Sequence, residues 1–398
     1  MATTKLELRT ALGPVYRDVL LTPPRNCTPD EIPVIDLENL YSTDISKRNS
    51  VAQAIRLAAL NTGFFYIKNH GIPREVISKA KQQGLNFMRQ SPEQKELISS
   101  KKHSKYFNGY SGAATTKISP GESVDIRESF SFRYSPELDP DHPMDVSEAP
   151  TEVKPWLRGE DFVWEGTSHL ADFKTACVAY WAGCLRLARK LVRSFALSLD
   201  LAEDYWDDKV TFPGADFVFN YYRPRSQQEV EGNFVGLGSH TDLQLFTLLW
   251  QDTIGGLQVL TKEGQWIKAP PIEDTIVVNI GDYMMRLSND RYKSTVHRVT
   301  NESALERVSM PFFFGEVYMS SEIARSMTDM EKTGLNFNCV ESVIPSCVSE
   351  TNPAKYEPIS CGDWCQMRFE LERESFDKKQ ASAASLAPSA VVVQAQAA

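Results

Sequence analysis

Apolar residues recur along this chain with two different periods, and the change from one to the other divides it. Up to about residue 210 the spacing is mostly helical. Val51, Ile55 and Ala58 or Ala59 mark one face over residues 47–60, ahead of the stop residues Asn61 and Gly63. A second helix is expected over 74–89. A long one is expected over 168–199, where Leu170, Phe173, Cys177, Trp181, Leu185, Ala188, Val192 and Phe195 return on one stripe. Residues 32–37 (IPVIDL) form a short apolar run, and 64–67 are a strand candidate closed by the turn residues Asn69, His70, Gly71 and Pro73. Residues 101–155, rich in Gly, Ser, Pro and Asp, read as long loops with short strands.

Beyond 211 the runs shorten and alternate: 216–223, 240–250, 257–260, 265–269, 275–280, 294–300 and 307–317, separated by Gly, Pro, Asn and Asp. This is the texture of a sandwich or barrel of antiparallel strands. The pattern then becomes irregular, with a short helix expected over 361–372 and an alanine-rich, aperiodic end from 381. The expected organisation is a helix-rich region at 1–210 packing on a β core at 211–318, then a C-terminal lid and helix at 319–375 and a disordered tail at 376–398.

Composition narrows the function without naming it. With 42% hydrophobic and 24% charged residues over 398 positions, the chain can bury a sizeable core. Acidic residues outnumber basic ones, 52 to 43, and no long basic run occurs, which argues against nucleic acid as a partner. Charges at Lys5, Glu7, Arg9, Arg17 and Asp18 break up the N-terminal apolar residues, so no secretory signal is read there, and no apolar stretch is long enough for a membrane span. Seven scattered cysteines without a CxxC pair fit a reducing, cytoplasmic setting. Cys361 and Cys365 can share a helix face but have no neighbouring ligands. Oligomeric state is not legible.

The candidate chemistry lies in the β-rich half. His240 and Asp242 open the longest strand-like run, and on a strand positions i and i+2 face the same way, so an imidazole and a carboxylate can converge on one point. A third ligand is available from His297 in STVHRVT. Two histidines and one carboxylate make the facial set that suits Fe(II) and leaves three coordination positions open. The run at 294–300 and the run at 307–317 are separated by NESALE, which reads as a hairpin loop. With a turn near Ser303, position 309 comes opposite 297 and puts Arg307 and Ser309 beside the metal. An Arg fork with an added hydroxyl suits a carboxylate ligand. Asn220 and Tyr222 share a face and add donors, whereas Tyr221 points away. Each piece alone has an ordinary structural explanation; their joint occurrence is rare.

These segments resemble the isopenicillin N synthase-like family of non-haem Fe(II), 2-oxoglutarate-dependent dioxygenases. The matching stretches are IPVIDL, TGFFYIKNHGIP (62–73), ESFSFRY (128–134), NYYRP (220–224), GLGSHTD (236–242), GGLQVL (255–260), GQWIKAPP (264–271), the run 277–299 and ERVSMPFFF (306–314), in family order. The resemblance implies a mainly β fold with flanking helices, its core a double-stranded β-helix or jelly roll. It implies Fe(II) on His240, Asp242 and His297, and 2-oxoglutarate gripped by Arg307 and Ser309 with help from Tyr222 and Asn220. O2 is the other cosubstrate, and succinate and CO2 are released. The implied activity is hydroxylation, desaturation or ring formation on a small organic molecule, plausibly in specialised metabolism; the alternative is a 2-oxoglutarate-independent Fe(II) oxidase of the same fold. Phe314, Phe132 and Tyr110 are candidate substrate-pocket walls, with plain core packing as the competing reading. His70 is assigned a structural role.

Overall fold

The computed structural model describes residues 2–10, 13–151, 153–226, 228–229, 232, 234–300, 303, 305–316 and 340–368. The expectations for 317–339 and for the chain beyond 368, which include much of the lid and all of the tail, lie outside the described residues.

Two sheets form the core. The larger has eight strands in the order Val34–Asp36, Phe64–Lys68, Ile276–Ile280, Phe246–Gln251, Arg307–Gly315, Gly214–Tyr222, Glu128–Phe132 and Gly109–Ser111. The smaller has five: Arg25–Asn26, Trp266–Lys268, Leu257–Leu260, His297–Val299 and Leu237–His240. From Gly214 to Gly315 the chain passes back and forth between the two sheets, the topology of a double-stranded β-helix. Four strands of the larger sheet come from before residue 210, so the helix-rich region also extends the core sheet at both edges.

Period-two alternation sorts the residues of the larger sheet. On its outer face Phe65, Ile67, Leu248, Val278, Met310, Phe312, Phe217 and Phe219 are all buried in one cluster with the helices. On its inner face Phe64, Tyr66 and Val277 meet Leu257, Val259 and Ile267 of the smaller sheet. Both faces are covered, which explains strands that read as nearly continuous apolar runs.

The helix Phe173–Ser198 lies over the outer face, with Ile45–Asn61 and Arg74–Met88 packed beside it. Its expected stripe is buried from Phe173 through Phe195. Trp181 donates through Nε1 to the Ala215 carbonyl at 3.0 Å and Tyr180 through its hydroxyl to that of Met310 at 3.1 Å, so two strands are fixed beneath it. Each fully buried side chain of this size contributes about 1.5–3 kcal/mol. Asp44 caps the first helix by accepting from the Ser46 backbone N–H.

Three features differ from the sequence reading. Thr3–Thr10 and Gly13–Leu20 form a hairpin whose Leu6, Leu8 and Val19 pack on Leu260, Trp266 and Val296; the charges that interrupt this segment are its solvent face. The run at 240–250 is not one strand: the first strand ends at His240, and Phe246 starts another in the opposite sheet. The runs at 294–300 and 307–317 are not hairpin neighbours. His297–Val299 pairs with Leu257–Leu260 and Leu237–His240, whereas Arg307–Gly315 pairs with Phe246–Gln251 and Gly214–Tyr222. A short polar connection looks the same whether it turns within a sheet or crosses between two.

Candidate active site

His240 and Asp242 reach their common point because the chain is leaving the smaller sheet there. His240 ends its strand and pairs in register with His297 on the neighbouring one, which brings the imidazole centroids to 4.3 Å. Each ring has its Nδ1 against a backbone carbonyl, that of Gly238 at 2.8 Å and that of Thr295 at 3.1 Å. An Nδ1–H donated to a carbonyl leaves Nε2 as the free lone pair, so both rings present the same nitrogen. The two Nε2 atoms lie 3.6 and 3.7 Å from Oδ1 of Asp242. The other carboxylate oxygen, Oδ2, accepts from Thr247 Oγ1 at 2.6 Å and Asn279 Nδ2 at 2.7 Å, fixing which oxygen faces the histidines.

The three ligand atoms lie within 4.8 Å of one another, close enough to hold one metal ion. Burial, and then the nearby His297 charge, push the His240 imidazole down to about 3. Burial opposes ionisation of Asp242, yet the two imidazoles, Thr247 and Asn279 outweigh it and hold the carboxyl below its usual range. The resting protonation is therefore that of a ligand set: neutral imidazole and carboxylate.

The inner face of the larger sheet continues this cavity. Arg307 pairs in register with Tyr222 and Ser309 with Asn220, so all four point inward on adjoining strands, and Tyr221 faces outward to Glu306. The partner of Arg307 is thus Tyr222 and not a residue of the His297 strand. Arg307 is fully buried. Its Nε donates to the Gly255 carbonyl, Nη1 to Ser309 Oγ at 3.3 Å and Nη2 to Gln251 Oε1 at 3.4 Å, and its guanidinium lies 4.7 Å from the Tyr222 ring centre. Among the described residues no carboxylate pairs with it. The Tyr222 hydroxyl is buried and has no hydrogen-bond partner. Gly255 and Gly256 shape this corner: both have positive φ, and a Cβ on Gly256 would stand 2.3 Å from the Thr300 carbonyl oxygen.

Sequence reasoning missed Thr247, Asn279 and Arg127. Arg127 donates through Nη1 to Asn220 Oδ1 at 2.6 Å, so the Asn220 amide must turn its NH2 the other way. Phe314, Phe132 and Tyr110 are not pocket walls. Phe314 stacks with Phe312 and Phe246 beneath the helices, Phe132 packs on Trp164, Trp181 and Phe217, and Tyr110 is buried against Phe87 and donates to Glu128 at 2.5 Å. The wall residue is Phe313, beside Pro311. Parity was the available signal, since 307, 309, 311 and 313 share a face and 314 does not. His70 lies outside the cavity; its Nδ1 accepts from the Ile72 backbone N–H at 3.1 Å in the turn before the second helix.

Cys361 and Cys365 are buried in the core on the helical turns at 361–368, and the only group of His, Cys, Asp and Glu arranged for a metal among the described residues is the triad. No helix among the described residues is long and apolar enough to cross a membrane.

Comparison with known proteins agrees with this geometry. Residues 213–316 match the family model of the 2OG-Fe(II) oxygenase superfamily, and residues 32–157 match that of the non-haem dioxygenase in morphine synthesis N-terminal region. The chain is 43% identical over 373 residues to the 2-oxoglutarate-Fe(II) type oxidoreductase ppzC of Metarhizium majus, covering 92% of this chain and 94% of that one. It is 29% identical to the 2-oxoglutarate-Fe(II) type oxidoreductase hxnY of Emericella nidulans, covering 91% and 95%. The crystal structure of a full-length Neurospora crassa protein in complex with alpha-KG superposes with a TM-score of 0.67 at 26% identity, covering 88% of this chain and 99% of that one. With a double-stranded β-helix, a His-Asp-His cluster and full-length relatives of this kind, the chain belongs to the 2OG-Fe(II) oxygenase superfamily and is an oxidoreductase that uses Fe(II), 2-oxoglutarate and O2.

Proposed function

We propose that His240, Asp242 and His297 hold the Fe(II), that Arg307 and Ser309 bind the distal carboxylate of 2-oxoglutarate, and that the enzyme oxidises a small organic molecule in specialised metabolism by hydroxylation, desaturation or ring formation. The observation that carries the cosubstrate assignment is the buried Arg307 guanidinium without an acidic partner, beside the unsatisfied Tyr222 hydroxyl. A buried cation without a counter-ion is costly, and a ligand carboxylate supplies the missing charge.

When bound, the metal and the 2-oxo acid supply the activation of O2, with release of succinate and CO2. The chain supplies orientation. The Gly238 and Thr295 carbonyls set the imidazole tautomers, and Thr247 and Asn279 aim the carboxylate. Arg307, Ser309 and Tyr222 anchor the cosubstrate at one end, while Asn220, held by Arg127, offers its amide N–H further along. A small-molecule substrate is supported by the Neurospora crassa relative, whose structure has also been solved with alpha-KG and thymine.

The test is anaerobic titration of the protein with Fe(II) and 2-oxoglutarate. A weak visible charge-transfer band should appear, and should be absent in His297→Ala while that variant stays folded. Iron binding without the band would replace this reading with the 2-oxoglutarate-independent oxidase.

A further inference from the structure

We propose that Arg133 holds a carboxylate of the substrate across the cavity from the metal, so that the substrate is a small acid with an apolar body; this rests on the cosubstrate assignment above.

The sheet register places the parts. Asn279 pairs with Thr247, Thr247 with Phe313, and Phe313 with Asp216, so these four residues form one row across four strands on the inner face. Asp242 hangs from the Asn279–Thr247 end of that row. Strands are about 4.8 Å apart, so Asp216 lies roughly 10 Å from Thr247, with the Phe313 ring between them. Arg133 follows Phe132, whose register partner is Phe217, and this brings it beside Asp216. The separation from Arg133 Nε to Asp216 Oδ2 is 3.5 Å. Arg307 and Tyr222 lie three rungs away along the same strands. A cosubstrate running from the metal toward Arg307 therefore leaves the space above Phe313 free, bounded by the metal on one side and Arg133 on the other.

Charge chooses what fits there. Apart from the triad and Arg307, the cavity wall carries three guanidiniums, Arg127, Arg133 and Arg368, against one carboxylate, Asp216. The two carboxylates of 2-oxoglutarate are matched by the metal and by Arg307, so this excess remains uncompensated in a poorly solvated space. Arg133 is the member placed to use it. Asp216 faces its Nε edge, and its Nη1 is buried without a hydrogen-bond partner. An arginine held by Nε presents its Nη edge, the geometry that takes a carboxylate. Phe313, Pro311 and Val218 supply the apolar floor for the rest of the molecule.

The test uses the full chain, anaerobic, with Fe(II) and saturating 2-oxoglutarate. Calorimetric titrations compare benzoate, phenylacetate and cyclohexanecarboxylate with their primary amides. At least one acid should bind ten-fold or more tightly than its amide. Arg133→Gln should abolish that preference, and Arg133→Lys, which keeps the charge and loses the fork, should retain only part of it. Acid and amide binding within two-fold for every pair, no binding of any probe, or a preference that survives in Arg133→Gln would overturn the proposal. If Arg133→Gln fails to fold, an undiminished preference in Arg133→Lys overturns it and a reduced one supports it. The charge-transfer band, recorded first on each protein, separates failure of this assignment from failure of the cosubstrate reading.

Discussion

Replacing Arg307 by Met should have opposite effects on the empty and the loaded protein. The guanidinium is fully buried and its hydrogen-bond partners, Gly255, Ser309 and Gln251, are all neutral. In the empty protein its desolvation is therefore not offset by a counter-charge, and an apolar side chain of similar length removes that cost. Exchanges of buried charged groups for well-packed apolar ones are often neutral or stabilising by about 1–4 kcal/mol. Here the orphaned Gly255 carbonyl takes back about 1–3 kcal/mol. The net expectation is a ligand-free stability within about 2 kcal/mol of the parent, with no collapse. Loaded with 2-oxoglutarate, the same change leaves a buried carboxylate without its partner, costing about 3–5 kcal/mol. At about 1.4 kcal/mol per factor of ten, that weakens cosubstrate affinity by roughly two to three and a half orders of magnitude. Denaturant unfolding without ligand gives the first quantity, and anaerobic titration of the charge-transfer band gives the second. A variant that is strongly destabilised when empty, or that binds 2-oxoglutarate as the parent does, would refute the reasoning.

Three further expectations follow from particular contacts. Phe314→Ala should cost about 3–5 kcal/mol of stability because Phe314 is wholly buried beneath the helices, whereas Phe313→Ala should mainly alter substrate turnover; equal unfolding midpoints for the two would show that the facing has been misassigned. Thr247→Val removes one of the two donors to Asp242 Oδ2 and should weaken Fe(II) affinity by about ten- to a hundred-fold, measured by competition with a chelator; unchanged affinity would deny the orienting role. Glu316 is buried, accepts from Trp206 Nε1 at 2.9 Å and lies against Glu341; burial and then that neighbouring charge raise its carboxyl well above the ordinary value of 4.5. As pH rises past that value the unfolded chain loses this proton while the folded protein keeps it, so stability declines until the folded group also ionises. Glu316→Gln should therefore gain stability over the parent progressively from about pH 4 to neutrality, and a pH-independent difference in unfolding free energy would contradict the shift.

What could be read from the sequence alone was local or rested on residue type. The helix Phe173–Ser198, the outward set of aromatics and the inward parity of Asn220, Tyr222, Arg307 and Ser309 follow from periods of 3.6 and 2, which the chain carries wherever one face of an element is buried. The metal triad was legible because only His240, Asp242 and His297 combine ligand chemistry with strand texture, even though His240 and Asp242 do not share a strand. The N-terminal hairpin went unread because its two exposed strands bury only Leu6, Leu8 and Val19.

Pairing belonged to the tertiary structure. Whether a six-residue polar connection folds back or crosses to the other sheet depends on which strands are already neighbours, and that is a property of the whole barrel. The row joining Asn279, Thr247, Phe313 and Asp216 draws on four strands far apart in the chain, and the meeting of Arg133 with Asp216 depends on register in the same sheet. Side-chain period determines which face a residue takes; only the closed set of backbone hydrogen bonds determines whom it meets there.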